Sequence, residues 1–311
     1  MTALAGRVAL VTGGSGSLGV DFLPLLAQQA PREIRVLVRS DAAASRVRET
    51  LETVRVDVRI AMGDIRDPRA VAEAVDDVDV IFHLAAEKDV LRSEEHPAEA
   101  VSTNVGGSAA LVEAASQQPR APFLVAASSA KASEPSGVLG MTKALMERLI
   151  CASGIGCSVR FGNIFGSTDS VLDIWRRTVR ERGEIDVTDP EMTRFVLTAK
   201  EASAYLIAAA ERGCVGTIVV PSQRAFRLGD LAAAFAVAYG ARLREVGPRQ
   251  TETRHEALVT ATEATYATRD GEWIVLTPGA LRPGGVPLLS NDVPRLREAE
   301  LTALIRENPP G

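Results

Sequence analysis

Arg7-Val8-Ala9-Leu10-Val11-Thr12-Gly13-Gly14-Ser15-Gly16-Ser17-Leu18-Gly19 is the stretch that decides how this chain folds. Arg7 to Thr12 is a short apolar and β-branched run and reads as a strand. Glycines then fall at 13, 16 and 19, a G-x-x-G-x-x-G spacing, and Leu18 to Gln29 reads as a helix. Glycine permits a tight turn and lets backbone N–H groups approach a diphosphate, and the helix N-terminus adds partial positive charge. A glycine pattern alone is a weak signal. Between a strand and a helix it predicts a dinucleotide site, with Gly13, Ser15, Gly16, Ser17 and Leu18 against the cofactor.

The alternation continues outward from this loop. Ile34–Val38, Val54–Ala61, Val78–Leu84 and Phe123–Ala127 read as further strands, separated by Ala-rich helical stretches. Cys157–Arg160 and Thr217–Val220 are later strand candidates. This predicts an α/β fold, a Rossmann-type doubly wound parallel sheet with a smaller C-terminal substrate-binding lobe. The expected core is 1–165, with returning segments near 190–222. The expected lobe is 166–189 and 223–311.

Composition is that of an ordinary globular enzyme, with 46% hydrophobic and 24% charged residues. The formal net charge of −5 argues against nucleic acid and against an anionic membrane surface. No apolar run reaches the roughly 18 residues of a spanning helix. The three cysteines, Cys151, Cys157 and Cys214, have no metal-type spacing, so no metal is expected and a reducing cytoplasmic setting is.

The end of the second strand bears on cofactor choice. It reads Val38-Arg39-Ser40-Asp41. An arginine there accommodates a 2′-phosphate, which favours NADP over NAD; Asp41, reaching the ribose instead, is the competing reading. After the third strand, Asp64 either accepts from an adenine amino group or caps a helix ahead of Pro68.

The segment Ser128-Ser129-Ala130-Lys131-Ala132-Ser133-Glu134-Pro135-Ser136-Gly137-Val138-Leu139-Gly140-Met141-Thr142-Lys143 follows the fifth strand. With the glycine loop, Lys143 four residues after an expected tyrosine position resembles the extended short-chain dehydrogenase/reductase superfamily. Gly63–Asp67, His83–Lys88, His96–Ala100, Thr103–Gly107, Val159–Ser167 and above all Thr188-Asp189-Pro190-Glu191-Met192-Thr193-Arg194-Phe195 resemble its UDP-N-acetylglucosamine 4,6-dehydratase, or polysaccharide biosynthesis, group. Arg249, Glu252, His255 and Glu256 resemble that group's nucleotide-binding stretch, with Gln250-Thr251 where it has Pro-Gly. The resemblance runs from about residue 5 to 278.

It implies an NADP that is reduced and reoxidised within one turnover. The sugar C4 hydroxyl is oxidised, which acidifies the C5 proton; water is eliminated across C5–C6 and the hydride returns to C6. A base for the hydroxyl, a base at C5 and an acid for the leaving hydroxyl are needed. Lys131 is the implied C5 base, a role that calls for a neighbouring cation and burial. Ser129 stands for the family's threonine, and Lys143 contacts the nicotinamide ribose. Ala130 stands where the acidic Asp belongs and Leu139 where Tyr or Met belongs, so neither transfers a proton. Glu87, Asp89 and Glu94, with Lys88 beside them, follow the fourth strand and offer substitutes. The resemblance further places Arg39, Ser40, Asp64, Ile65, Leu84, Ala85 and Ala86 against the cofactor. It places Lys88, Asn163, Arg194, Arg249 and Glu252 against a nucleotide-linked sugar, a UDP-hexose. His83, His255, Trp175 and Phe161 read as packing residues.

Three functions compete. The first is an NADP-dependent dehydratase or epimerase of nucleotide sugars, expected as a homo-oligomer. The second is an NADPH-dependent reductase on another substrate. The third is a nucleotide-binding protein that has lost proton transfer.

Overall fold

The computed structural model describes residues 4–168, 170–249, 252–281 and 285–307. Six strands alternate with helices in the first half: β1 Val8–Thr12, β2 Glu33–Val38, β3 Asp57–Met62, β4 Val80–His83, β5 Phe123–Ser129 and β6 Gly156–Phe161. All are parallel and lie in the order 3-2-1-4-5-6 within a nine-stranded sheet. The order reverses between β1 and β4, a topological switch point, and ligands bind such sheets in the crevice there.

Beyond β6 the strand Thr217–Pro221 pairs in parallel. Trp273–Leu276 and Ala267–Asp270 then close the edge as an antiparallel hairpin. The sequence places that hairpin in the smaller lobe, but it belongs to the main sheet. Its four-residue strands are too short to carry a readable alternation. The third strand starts at Asp57 rather than Val54, because β3 is the opposite edge and alternates between exposed and half-buried residues.

Both faces of the sheet are covered, which is why β1 is buried along its whole length. Phe22, Leu23 and Leu26 of helix Ser17–Ala27 and Leu206 of helix Ala199–Arg212 pack on one face. Val71 and Val75 of helix Pro68–Val75, Leu111 of helix Gly107–Ser116, and Met146 and Ile150 of helix Val138–Ser153 pack on the other. Each such side chain contributes about 1.5–3 kcal/mol of transfer free energy. A separate core joins Trp175, Ile185, Phe235 and Leu301, from helices Val171–Arg182, Leu228–Tyr239 and Glu298–Glu307 and strand Glu184–Val187. No helix among the described residues is long and apolar enough to cross a membrane.

Candidate active site

The glycine loop leaves β1 at the switch point. Gly13 has φ +74°, and a Cβ there would lie 2.5 Å from the Ala85 nitrogen, so only glycine lets the loop approach the segment after β4. Leu84 and Ala85 are themselves tied to β1: their N–H groups donate to the Thr12 carbonyl at 3.0 Å and to Thr12 Oγ1 at 3.3 Å. Helix Ser17–Ala27 starts with no capping side chain and no acidic residue in its first turn, which leaves its N-terminal dipole for an anion. Lys88 Nζ donates to Ser17 Oγ at 3.1 Å and to the Thr168 carbonyl at 3.0 Å. It therefore lies over the glycine loop and not among the residues of the cleft described below.

Arg39 is exposed after β2. Ser40 caps helix Asp41–Leu51, its Oγ accepting from the Ala43 N–H at 3.3 Å. The Asp64 carboxylate is gripped by the Arg66 guanidinium at 2.7 and 2.9 Å, and Arg66 holds its pKa below the usual carboxylate range. The helix-cap reading of Asp64 is corrected: Asp67 is the cap, accepting from the Arg69 N–H at 3.0 Å. The Ile65 side chain is buried in the core. These groups suit a dinucleotide, and the switch point is the place for one.

Buried polar groups connect the loop to Lys143. Ser108 Oγ donates its one proton to the Asn104 carbonyl at 2.6 Å, so it accepts from His83 Nε2 at 2.9 Å. His83 Nδ1 then accepts from Thr12 Oγ1 at 2.7 Å. The ring is neutral; burial and the Lys143 charge push its pKa down to about 3. Lys143 is buried, not a surface lysine, and donates to the Ala127 carbonyl at 3.0 Å. Burial pulls its pKa down to about 8, with Glu147 opposing. Asn104 Nδ2 holds both the Glu87 carbonyl and Thr142 Oγ1 at 3.0 Å, fixing the segment after β4 against the lysine helix.

Below Lys143 lies a charge cluster that the motifs did not single out. Arg160 of β6 pairs with Glu147 of helix Val138–Ser153 at 2.6 Å and with Glu263 of helix Ala261–Ala264 at 2.8 Å, all buried. Ser128 Oγ donates to Glu147 at 2.6 Å, and Arg160 also donates to the Leu258 carbonyl at 2.8 Å. Glu147 stands four residues after Lys143, so the two share a helix face; that spacing was the available signal.

An open cleft of about 390 Å³ brings together Lys131, Arg194, Arg249 and Glu252, with Ala130 and Leu139 in its wall. Gly140 also lines it: a Cβ there would lie 2.5 Å from the Lys131 carbonyl, so glycine lets the helix seat against the lysine turn. Lys131 is exposed rather than buried, and Arg194 and Arg249 line the same cleft. Ser129 Oγ accepts from the Lys131 N–H at 3.3 Å, capping the turn 130–132. Asn163 is not in the lining; its Nδ2 donates to the Phe195 carbonyl and to Glu256, both at 3.0 Å. Arg194 Nε lies 3.8 Å from the same Glu256. Gln250-Thr251 lies outside the described residues.

The candidate substitutes for the missing acid are engaged elsewhere. Glu87 accepts from the Asp89 N–H at 3.0 Å and pairs with Arg92 at 3.2 Å. Asp89 caps helix Val90–Glu95, and Glu94 accepts from the Val138 N–H at 2.7 Å at the start of the lysine helix. Trp175 and Phe161 are core residues.

The family model for polysaccharide biosynthesis proteins matches residues 9–278. The chain belongs to that family. It is an extended short-chain dehydrogenase/reductase of the polysaccharide biosynthesis group. It is 31% identical over 281 residues to the UDP-glucose 4-epimerase of Rickettsia canadensis, covering 86% of this chain and 82% of that one. The X-ray structure of Pen from Bacillus thuringiensis is 29% identical with a TM-score of 0.89, covering 98% of each chain. DesIV, a dTDP-glucose 4,6-dehydratase from Streptomyces venezuelae solved with NAD and TYD bound, is 22% identical with a TM-score of 0.71, over 79% of this chain and 86% of that one. The last likeness is one of fold.

Proposed function

We propose that the protein is an NADP-dependent enzyme that acts on a UDP-hexose, oxidising the sugar at C4 and then eliminating water across C5–C6. The observation that carries this reading is the cleft itself. Lys131, Arg194, Arg249 and Glu252 come from distant parts of the chain and converge in it, with Lys143 buried in the adjoining core. Family membership and the name of the Rickettsia relative support a nucleotide sugar as the substrate class.

Gly13, Ser15, Gly16, Ser17 and Leu18 would hold the cofactor diphosphate, with Lys88 over it. Arg39 would take the 2′-phosphate, with Ser40, Asp64, Ile65, Leu84, Ala85 and Ala86 around the adenosine. A bound nicotinamide supplies the place for a hydride to leave and return. Lys143, protonated for much of the time at neutral pH, orients the nicotinamide ribose and favours charge developing on the C4 oxygen. Lys131 takes the C5 proton, and Ser129 orients the turn that carries it. Arg249 and Arg194 grip the diphosphate, a task suited to planar guanidinium groups, and Glu252 the uridine ribose. Asn163 supports this wall through Glu256. The residues outside the main sheet form the substrate lobe. The three free thiols fit a reducing cytoplasm, and Met141 with Leu145, exposed at i and i+4 on the lysine helix, fit a homo-oligomer.

The test is a panel of UDP-hexoses followed by mass spectrometry, run also in deuterated water. Loss of one water with no net use of NADPH is the expected result. Net NADPH consumption would make the protein a reductase, and C5 exchange without water loss an epimerase. Binding of both ligands with no product of any kind would falsify the catalytic reading.

A further inference from the structure

We propose that Glu134 carries the proton transfers for which Ala130 and Leu139 have no group, an inference that rests on the dehydratase reading above. Four carboxylates line the cleft: Glu94, Glu134, Glu252 and Glu256. Three are already engaged. Glu94 accepts from the Val138 N–H at 2.7 Å, and Glu252 from the Arg249 N–H at 2.9 Å. Glu256 is buried and accepts from Asn163 Nδ2 at 3.0 Å and the Phe195 N–H at 3.1 Å. Among the described residues Glu134 alone of the four has a side chain with no hydrogen-bond or ion-pair partner.

Its backbone is pinned on both sides. Ser133 Oγ donates to the Ala257 carbonyl at 2.6 Å, across the cleft wall, and lies 2.8 Å from the Ala130 carbonyl. Pro135 packs against Gly140, and a proline there biases the residue before it away from helical backbone. An uncommitted carboxylate is thus held on a fixed loop three positions beyond Lys131, in the same cleft. A carboxylate on a held backbone, exposed in the cleft and free to turn toward a bound sugar, suits proton transfer.

One carboxylate serves both oxygens. As hydride leaves C4, Glu134 takes the C4 hydroxyl proton, which yields the C4 ketone and a carboxylic acid. Lys131 removes the C5 proton; the C5–H electrons become the C5–C6 double bond and the C6–O bond breaks. Glu134 gives its proton to the departing hydroxyl, which leaves as water. A bound nicotinamide would return hydride to C6, and protonation of C5 by Lys131 would complete the cycle. The sum is loss of one water, with the carboxylate, the amine and the nicotinamide restored.

The experiment compares the wild-type chain with Glu134→Gln and Glu134→Asp on a UDP-hexose from the panel. Water loss is read by mass spectrometry, sugar-nucleotide affinity by calorimetry and nicotinamide reduction by absorbance in a single turnover. Glu134→Gln should bind within about threefold of wild type yet lose about 100-fold or more in turnover, with no reduced nicotinamide accumulating. Glu134→Asp should recover part of the rate. Glu134→Gln turning over at the wild-type rate overturns the proposal and leaves the dehydratase reading standing. Parallel loss of affinity and turnover also overturns it, since Glu134 then holds substrate. A wild-type chain that dehydrates no member of the panel removes the dehydratase reading and this proposal together. Melting curves of the variants confirm that each is folded.

Discussion

Arg160 Nη2 and Glu147 Oε2 lie 2.6 Å apart with both residues closed off from solvent, and Glu263 flanks the guanidinium on its other side. This pairing joins β6, the helix that carries Lys143, and the C-terminal segment behind the cleft. A buried pair gives little net stability compared with apolar packing, but removing one partner strands the other. Arg160→Met leaves two glutamates without their cation in the core. Urea denaturation should show a loss of about 3–5 kcal/mol. A loss under about 1 kcal/mol would mean that water or relaxation satisfies the carboxylates.

Lys143 makes stability depend on pH on the alkaline side. Its ordinary value is 10.5 and burial brings it down to about 8. Below pH 8 the lysine is charged in both folded and unfolded chains, and the burial penalty is fully present. Between these values the unfolded chain binds more protons, so the contribution of Lys143 to stability rises with pH, and above the upper one the penalty is gone. The difference in unfolding free energy between wild type and Lys143→Met should therefore move toward wild type by on the order of 3 kcal/mol across the window. Denaturant titrations at a series of pH values measure this. A difference that stays flat would show the ammonium to be as well solvated as in water.

Ala130→Asp restores the acid of the family motif, but the site is apolar. Ala130 packs with Phe195, Ile218 and Leu258. A carboxylate there should lower stability by about 1–3 kcal/mol, seen as a drop in melting temperature. With Glu134 moving the proton, the substitution should bring no gain in water loss. A faster elimination in the variant would return the role to position 130.

Arg39 and Asp41 point to different cofactors. If Arg39 meets the 2′-phosphate, Arg39→Ala should weaken NADP binding about tenfold or more while NAD affinity changes little. Equal loss for both dinucleotides, measured by calorimetry, would move Arg39 away from the 2′-phosphate.

The glycine loop was legible because every requirement on it is local: a buried strand, glycine backbone freedom and a helix start within thirteen residues. Glu94, Asp89 and Glu87 were legible only as carboxylates near a cleft. That they spend their oxygens on backbone N–H groups and Arg92 depends on where loops fold back. Lys88 shows the same limit, because its contacts at Ser17 and Thr168 lie far away in the chain. Glu134 carries no signal of its own in the sequence, because nothing in its neighbours' identities says that it is unpaired.

By itself the sequence determined the doubly wound sheet, the glycine loop between strand and helix, and the family, since hydrophobic periodicity and glycine spacing act over short distances. Only the tertiary structure decided which charges are buried and which are available. Lys143 is buried and Lys131 exposed, Arg160 is enclosed by two glutamates, and among the described residues Glu134 is left without a partner in the cleft. Desolvation and pairing depend on contacts between segments a hundred residues apart, and no local pattern encodes them.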